Sequence, residues 1–381
     1  MRGAVDPATM WRWATPAGQA VLASRDLARI LRHHRTVNAL SQTALGEVLG
    51  YDKTFISAVE NHRRVIPDVE SRRRVAARLG IPPHVLGVTD AADTDFAAML
   101  QFGDSTLRLA EIARQSGQAT TAVNELWPLV ARLEARVADG HTERDVLALL
   151  GRARTSLGVA LGHILPEERM ATAAHWTGKG LAVTRRLDDR PALVHALRMH
   201  GNELRKTGLH WAALDRLTHA ANLATTDAER AAVQPLLARA AGAAGRSGLF
   251  DHTCAINRRL LDRAEHDALF NPLAHHEIHL RGLMTTGRIT QAAGLAANAP
   301  DPTWHVTPQW RVIEHVTTGR VLLAAGDTTG ARDRLLAAVT LATTLRLPHQ
   351  LQRIIRASTG QAHVRDQALT SLAELRSAMA A

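Results

Sequence analysis

LSQTALGEVLGYDKTFISAVEN, residues Leu40–Asn61, decides the fold. It reads as two short helices joined by a tight turn. Ser41 is a suitable N-cap, because its hydroxyl can accept from a free amide of the first turn. Ala44, Leu45, Val48 and Leu49 then form an apolar stripe at helical spacing. Gly50 stands where the first helix must stop, since glycine enters the left-handed region without a Cβ clash. Asp52 can cap the second helix, whose inner face is Phe55, Ile56 and Val59. Lys53 and Thr54, followed one turn later by Ser57 and Ala58, remain on its outer face. Side chains at such a helix start reach base edges when the helix enters a major groove.

Helices this short need neighbours to pack on. Upstream, Ser24–Thr36 is expected as a helix with Leu27, Ile30 and Leu31 inward, and Asn38-Ala39 as the turn out of it. Downstream come a basic loop over His62–Asp68, a helix over Val69–Leu79 ended by Gly80, and a short helix opened by Pro82-Pro83. The 381-residue chain carries a net charge of +10. Residues Met1–Val88 hold 13 Lys+Arg against 7 Asp+Glu, so +6 of that excess sits where a DNA reader must neutralise phosphates. Arg29, Arg32, Arg63, Arg64, Arg72, Arg73 and Arg74 are the candidates for that role.

The order LARILRHHR, LSQTALGEVLG, DKTFISAVEN, VESRRRVAARLGIPPHVL resembles the Cro/repressor (Xre) type of helix-turn-helix domain across Arg25 to about Val88. The resemblance implies a five-helix, lambda-repressor-like fold. It implies a phosphate contact for Gln42, base reading for Lys53 and Thr54, and an ion pair between Arg35 and Glu60. Ser57, Ala58, Asn61, Arg63 and Arg64 complete the expected DNA-binding set. Gly46 replaces the usual alanine and still permits close helix packing. Asn61-His62 replaces the usual glycine after the third helix, with asparagine expected to take the left-handed turn.

Residues 1–23 form an N-terminal arm containing Trp11 and Trp13. It is either disordered or folded with its tryptophans on the body, and only Arg2 and Arg12 could enter a minor groove. A short polar linker, Gly87–Thr94, separates the head (residues 24–88) from the rest (95–381).

Beyond Asp95 alanine-rich helices alternate with Gly- or Pro-marked turns, with no strand pattern. Val194–Thr225 carries Leu197, Gly201, Leu204, Gly208, Ala213, Leu217 and Ala220, a spacing that brings a small residue of one helix against a small residue of the next. This resembles a tetratricopeptide (TPR) repeat. A turn glycine recurs at Gly248, Gly287 and Gly326, at intervals of 40, 39 and 39 residues. Gly319, Leu322, Ala331, Leu335 and Ala338 form another clear unit. Ala110, Gly117, Ala122 and Leu126 fit an upstream unit, Arg144–Leu187 fits a hairpin turning near Pro166, and Gln361–Met379 is a terminal helix. Such hairpins cannot bury a core singly, so they stack into an α-solenoid with a concave groove. The fold class is therefore all-α: a five-helix DNA-binding head followed by an α-solenoid of TPR-like hairpins. That architecture resembles the RRNPP-like peptide-sensing regulators and actinobacterial Xre-type regulators with TPR domains.

First helices of such pairs line the groove, which projects Arg108 and Arg114, then Arg198, Asn202 and Arg205, then Arg239, Arg281 and Arg320 into it. Arg198, Asn202, Arg205, Arg239, Arg281 and Arg320 are the expected ligand-binding set. An amide beside guanidinium groups suits an extended peptide, the arginine taking a carboxylate bidentately. Trp127, Trp176, Trp211, Trp304 and Trp310 are expected in inter-helix packing.

The HHEIH run places His275 and His279 one helical turn apart, but it is not an HExxH motif and exposed helical histidines are the plainer reading. No phosphate-binding loop, nucleophile elbow or paired-carboxylate motif occurs. No catalytic residue, metal or cofactor is expected, and the chain is not expected to be an enzyme. Cys254 is the sole cysteine, no apolar run reaches membrane-spanning length and no signal-peptide pattern opens the chain, which fits a cytoplasmic protein. The expected partners are double-stranded DNA at a palindromic operator, a peptide or small-molecule effector, and a second copy of the chain. The competing expectation is a TPR scaffold that grips a partner protein while the head localises it to DNA. The sequence is silent on operator, effector identity, dimer interface and the direction of regulation.

Overall fold

The computed structural model describes residues 13, 15–88, 91–267, 270–298, 300 and 306–380. Among them every regular element is helical, with 19 α-helices and two 3₁₀ turns. None of these helices is long and apolar enough to cross a membrane. The chain divides into two compact units. The first is Met1–Leu107 with Trp127–Ala153 and Ala182–Asp189; the second is Arg108–Leu126 with Arg154–Leu181 and Arg190–Ala381.

The head of the first unit is built from α1 (Pro16–Ala23), α2 (Leu27–Val37), α3 (Gln42–Leu49), α4 (Lys53–Glu60), α5 (Val69–Leu79) and a 3₁₀ turn at Pro83–Leu86. Capping chemistry sets these boundaries. Ser41 Oγ accepts from Ala44 N at 3.1 Å, Asp52 from Phe55 N at 2.8 Å and Asp68 from Ser71 N at 2.6 Å. Gly50 ends α3 in the left-handed region at φ 79°. Helix α2 starts three residues later than Ser24, because Asp26 supplies the cap, accepting from Ala28 N at 2.9 Å. The turn after α4 is carried by His62 at φ 56°, not by Asn61, whose φ is −100°. Asn61 instead caps, its Nδ2 donating to Ser57 O at 2.8 Å.

Ile30, Leu31, Leu45, Ile56, Val75 and Leu79 make the head's core, and Trp13 joins it. Trp13 Nε1 donates to Leu79 O at 2.7 Å, which satisfies the indole inside an apolar site. From Trp13 onward, then, the N-terminal segment belongs to the head's packing; Trp11, Arg2 and Arg12 lie outside the described residues. Gln19 extends this tie, accepting from Arg144 N at 3.1 Å. Three long helices follow: α6 (Ala91–Gln115), α7 (Ala119–Ala138) and α8 (Arg144–Ile164).

The second unit carries hairpins in series after a 3₁₀ turn at Glu167–Arg169 and α9 (Met170–Thr184). They are α10 (Arg190–Lys206) with α11 (His210–Leu223), α12 (Asp227–Ala243) with α13 (Ser247–Leu261), and α14 (Pro272–Thr285) with α15 (Ile289–Ala296). Then come α16 (Pro308–Ala324) with α17 (Thr328–Thr344), and α18 (Pro348–Ala357) with α19 (Ala362–Ala380). Each first helix packs on its own partner and also on the next first helix, α10 on α12, α12 on α14, α14 on α16 and α16 on α18. The first helices therefore form the inner wall of a solenoid.

Small residues permit this spacing. A Cβ on Gly201 would stand 2.7 Å from Leu217 Cγ, and one on Gly319 would stand 2.8 Å from Leu335 Cγ. The repeat register differs from the expected one in the second hairpin. The turn glycine there is Gly245, at φ 68°, whereas Gly248 lies inside α13. Arg246 N bonds to Ala241 O at 2.9 Å, so the turn closes three residues before Gly248. Trp310 is buried between helices as expected, but Trp127 and Trp211 are more than half exposed. Trp304 lies outside the described residues.

The start of this unit meets its end. Arg356 on α18 donates to both carboxylate oxygens of Glu167, at 2.5 and 2.6 Å, and Gln352 Oε1 accepts from Glu167 N at 2.7 Å. Arg376 on α19 donates to Glu168 at 2.5 Å. These bonds clasp the solenoid into a closed course.

Two glycines separate packing from propensity. A Cβ on Gly46 would meet Tyr51 O at 2.4 Å, while nothing stands within 4 Å of one on Gly248. Gly46→Ala should lower stability by about 1–3 kcal/mol in urea denaturation, through a backbone clash. Gly248→Ala should raise it by about 0.5–1 kcal/mol, because alanine is the better helix residue.

Candidate DNA-reading face and ligand recess

On the head, α4 offers one face to the core through Ile56, Val59 and Glu60 and the opposite face to solvent. Lys53, Thr54, Asn61, Arg63 and Arg64 are exposed, while Ser57 and Ala58 are half-buried. The Arg64 guanidinium lies over the Phe55 ring at 5.6 Å, which orients it beside the start of α4.

Glu60 fixes the helix from below. It is buried, and it takes Arg35 Nε at 3.0 Å, Arg35 Nη2 at 3.3 Å and Gln42 Nε2 at 2.8 Å. One carboxylate thus joins α2, α3 and α4. This engages Gln42, the expected phosphate contact, within the network. Arg72 is also spoken for: its Nη1 donates to Leu86 O at 3.1 Å and its Nη2 to Pro67 O at 3.2 Å, so it braces the loop before α5.

Inside the solenoid the first helices converge on a recess. Its lining includes Arg198, Asn202 and Lys206 of α10, Arg239 of α12, and Trp310 and Ile313 of α16. Its cavity volume is about 90 Å³, and it opens to solvent. Asn202, Arg239, Arg281 and Arg320 each stand six residues before a turn glycine, namely Gly208, Gly245, Gly287 and Gly326. One register position therefore supplies four inner-wall residues. Arg205 and Arg353 join the same electrostatic neighbourhood.

The electrostatics follow from crowding. Burial, then the charges of Arg205 and Arg281, hold Arg239 well below the usual arginine range. Burial and the neighbouring Arg281 and Arg205 do the same to Arg353. Arg205 is pushed down to about 10 by burial first and Arg281 second. His163 and His349 are held well below the ordinary histidine range by burial and by Lys206. Carboxylates are few. Glu203 pairs with Lys206 at 2.8 Å, Asp267 accepts from Phe270 N at 2.8 Å, and burial with Glu314 nearby pushes Glu277 up to about 7. Arg353 entered no sequence expectation, because α18 is a short first helix that the repeat spacing did not mark. The signal available was Gly360, a left-handed glycine seven residues after it.

The histidines of the HHEIH run are not exposed. His276 is buried and the other two half-buried, and burial with His279 nearby pushes His275 down to about 4. Asn257 Nδ2 donates to His275 Nδ1 at 2.9 Å. Among the described residues, the group with metal-ligand spacing is His84, His141 and Glu143 in the first unit, with ligand atoms within 4.8 Å of one another. His84 Nε2 and His141 Nδ1 face the same Glu143 oxygen at 3.6 and 3.5 Å. Imidazole–carboxylate contacts alone account for that group as a tie between the 3₁₀ turn of the head and the α7–α8 connection.

No protein-family description and no curated protein matches this chain. Among solved structures, PlcR from Bacillus thuringiensis in complex with the peptide PapR7 and DNA is similar at 15% sequence identity and a TM-score of 0.37. The match covers 72% of this chain and 94% of that one.

Two measurements test this geometry. Arg35→Ala leaves the buried Glu60 with one neutral partner and should lower stability by about 3 kcal/mol, the low end for a broken buried pair. Arg35 is itself 30% exposed, which sets that end. Glu277 has a raised carboxyl pKa, so the folded state binds its proton more tightly than the unfolded chain does. Its cost to stability is absent below about pH 4.5, grows as pH rises, and is complete above about pH 7. Glu277→Gln should therefore gain on the native protein between pH 5 and pH 8, by on the order of 3 kcal/mol at most. Thermal denaturation across that range reads the difference.

Proposed function

We propose that this chain is a sequence-specific, DNA-binding transcriptional regulator whose solenoid holds an effector. Residues 24–88 act as the DNA reader and residues 95–381 as the sensing body. The observation that carries the reading is the exposed start of α4, Lys53 and Thr54, on a basic helix-turn-helix whose recognition helix is anchored through Glu60. Lys53 and Thr54 meet base edges, and Ser57 and Ala58 follow one turn deeper. Asn61, Arg63 and Arg64 lie along phosphates at the end of the helix. Gln42 contributes through Glu60, and it reaches a phosphate only by leaving that bond.

One helix-turn-helix reads a half-site, so the regulator acts as a homodimer on a palindromic operator. The effector occupies the recess lined by Arg198, Asn202 and Arg239, with Arg205, Arg281 and Arg320 completing the ligand-binding set as charged neighbours on the same inner wall. It changes operator affinity only if it binds the two states of the dimer unequally. The chain works as a soluble regulator in the cytoplasm and performs no catalysis.

Selection of bound duplexes from a random pool, followed by binding titrations at several salt concentrations, tests the reading. Lys53→Ala and Thr54→Ala should lose roughly 1–3 kcal/mol on the selected site and change which bases are preferred. Arg63→Gln with Arg64→Gln should weaken selected and random duplexes alike and flatten the salt dependence. Equal effects of both pairs on both kinds of duplex would remove α4 as the reading helix.

A further inference from the structure

The recess holds more positive charge than its own acids can balance. Arg114 lines it already paired with Glu111. Six further arginines crowd this wall: Arg198 of α10 and Arg239 of α12 in the lining itself, and Arg205, Arg281, Arg320 and Arg353 in their charged neighbourhood on α10, α14, α16 and α18. Among the described residues none of these six has a carboxylate oxygen within ion-pairing distance, whereas Lys206 is paired with Glu203. Nε of Arg198, Arg205 and Arg239 and Nη1 of Arg281 are buried with no acceptor. A buried charge is stabilised by a partner, by hydrogen bonds, or by losing its proton. Arginine does not take the third route. The wall therefore keeps several charges that have neutral acceptors at most, Arg198 donating to Ala232 O, Arg205 to Asn202 and Arg353 to Gln350.

We propose that this recess binds a small polyanion, an organic molecule carrying at least two phosphate groups on a planar or apolar body. The proposal deepens the effector reading given above and rests on it. Phosphate fits the donors, because a guanidinium fork matches its oxygens bidentately. Several groups fit better than one, because Arg198 and Arg239 enter the recess from two different helices and a single carboxylate would balance only one of them. The body fits the opposite wall, where Trp310, Phe270, Ile313 and Pro235 are apolar and Arg239 lies over the Trp310 ring at 5.5 Å. An extended peptide fits less well. It needs amides along the groove to meet its backbone, but the repeated inner position supplies Asn202 once and arginine three times. Asn202 is itself occupied, its Oδ1 accepting from Arg205 at 3.1 Å and its Nδ2 donating to Glu203 at 3.3 Å.

The test uses the full chain at fixed chloride concentration, with sodium pyrophosphate, tripolyphosphate, ADP, adenosine and a synthetic acidic heptapeptide as probes. Pyrophosphate, tripolyphosphate or ADP at about a hundredfold excess over Kd should raise the melting temperature by roughly 5 °C, and adenosine should not. Arg198→Gln with Arg239→Gln, the two arginines of the lining without a carboxylate, should act in two opposite directions. Repulsion is relieved, so the ligand-free protein melts higher, while polyanion affinity falls at least about thirtyfold, since charged hydrogen bonds are lost. Arg320→Gln serves as a milder variant with the same two signs. A ligand-free melting temperature that falls in these variants, with the polyanion shift retained, would overturn the proposal. So would a shift with the heptapeptide alone, or with none of the three phosphate compounds. Operator titrations with and without ADP separate the two readings. Polyanion binding without any change at the operator keeps this site and removes the regulatory reading; operator release by the peptide alone does the reverse.

Discussion

Close approach of consecutive first helices is the constraint from which the second unit follows. Gly201 against Leu217 and Gly319 against Leu335 draw a first helix onto its partner, and Gly242 sits 3.2 Å, by a Cβ it lacks, from the Cα of Gly282 on the next first helix. Once first helices stand that close, one rotational position per helix must face inward. In this chain that position is Asn202, Arg239, Arg281 and Arg320. The space left by the glycines is filled by Leu217, Leu335 and Phe250 of the neighbouring helices, while the charge stands on the inward positions beside them. Stability of the ligand-free unit and its response to a counter-charged ligand are then two views of one free energy, since whatever balances the wall also stabilises the fold.

The head solves a different problem, that of presenting a two-turn helix rigidly. Helix α4 is too short to hold its own direction. Caps at Asp52 and Asn61 fix its ends, and Glu60 ties it to α2 and α3 through Arg35 and Gln42. The glycine at 46 lets the Tyr51 carbonyl come within 2.4 Å of where a Cβ would be, which sets the angle between α3 and α4. The polar network lies beneath the helix, and Lys53 and Thr54 are exposed on its outer side.

What could be read from the sequence was local. Ser41, Gly50 and Asp52 act through atoms three or four residues away, so their roles follow from spacing alone. The ion pair of Arg35 with Glu60 came from the family resemblance, because a separation of 25 residues is beyond any spacing rule. Gln42 was read as a phosphate contact for the same reason, since its bond to Glu60 depends on how α3 and α4 cross. Gly245 and Gly248 differ by three residues, and choosing between them requires knowing where α12 stops, which packing at Gly242 decides. Arg72 looked like one of many surface arginines until the carbonyls of Pro67 and Leu86 came within its reach. The partition into two compact units, with 127–153 and 182–189 joining the first, has no signature in the repeat spacing.

The choice of arginine over lysine bears on how such a wall works. The chain has only three lysines, and the one in the recess, Lys206, has Glu203 beside it and the Gly162 carbonyl at 3.0 Å. A lysine in place of Arg239 or Arg353 would shed its proton under the same burial and repulsion, and the wall would discharge itself. Guanidinium groups keep their charge, so the burden persists until something outside the chain relieves it. The histidines at the edge, His163 and His349, are already neutral at pH 7 and add nothing to it. The group left to adjust is Glu277, whose raised pKa of about 7 leaves it part-protonated at neutrality. Acidification therefore makes the recess more cationic by removing its weakest counter-charge while the arginines stay fixed.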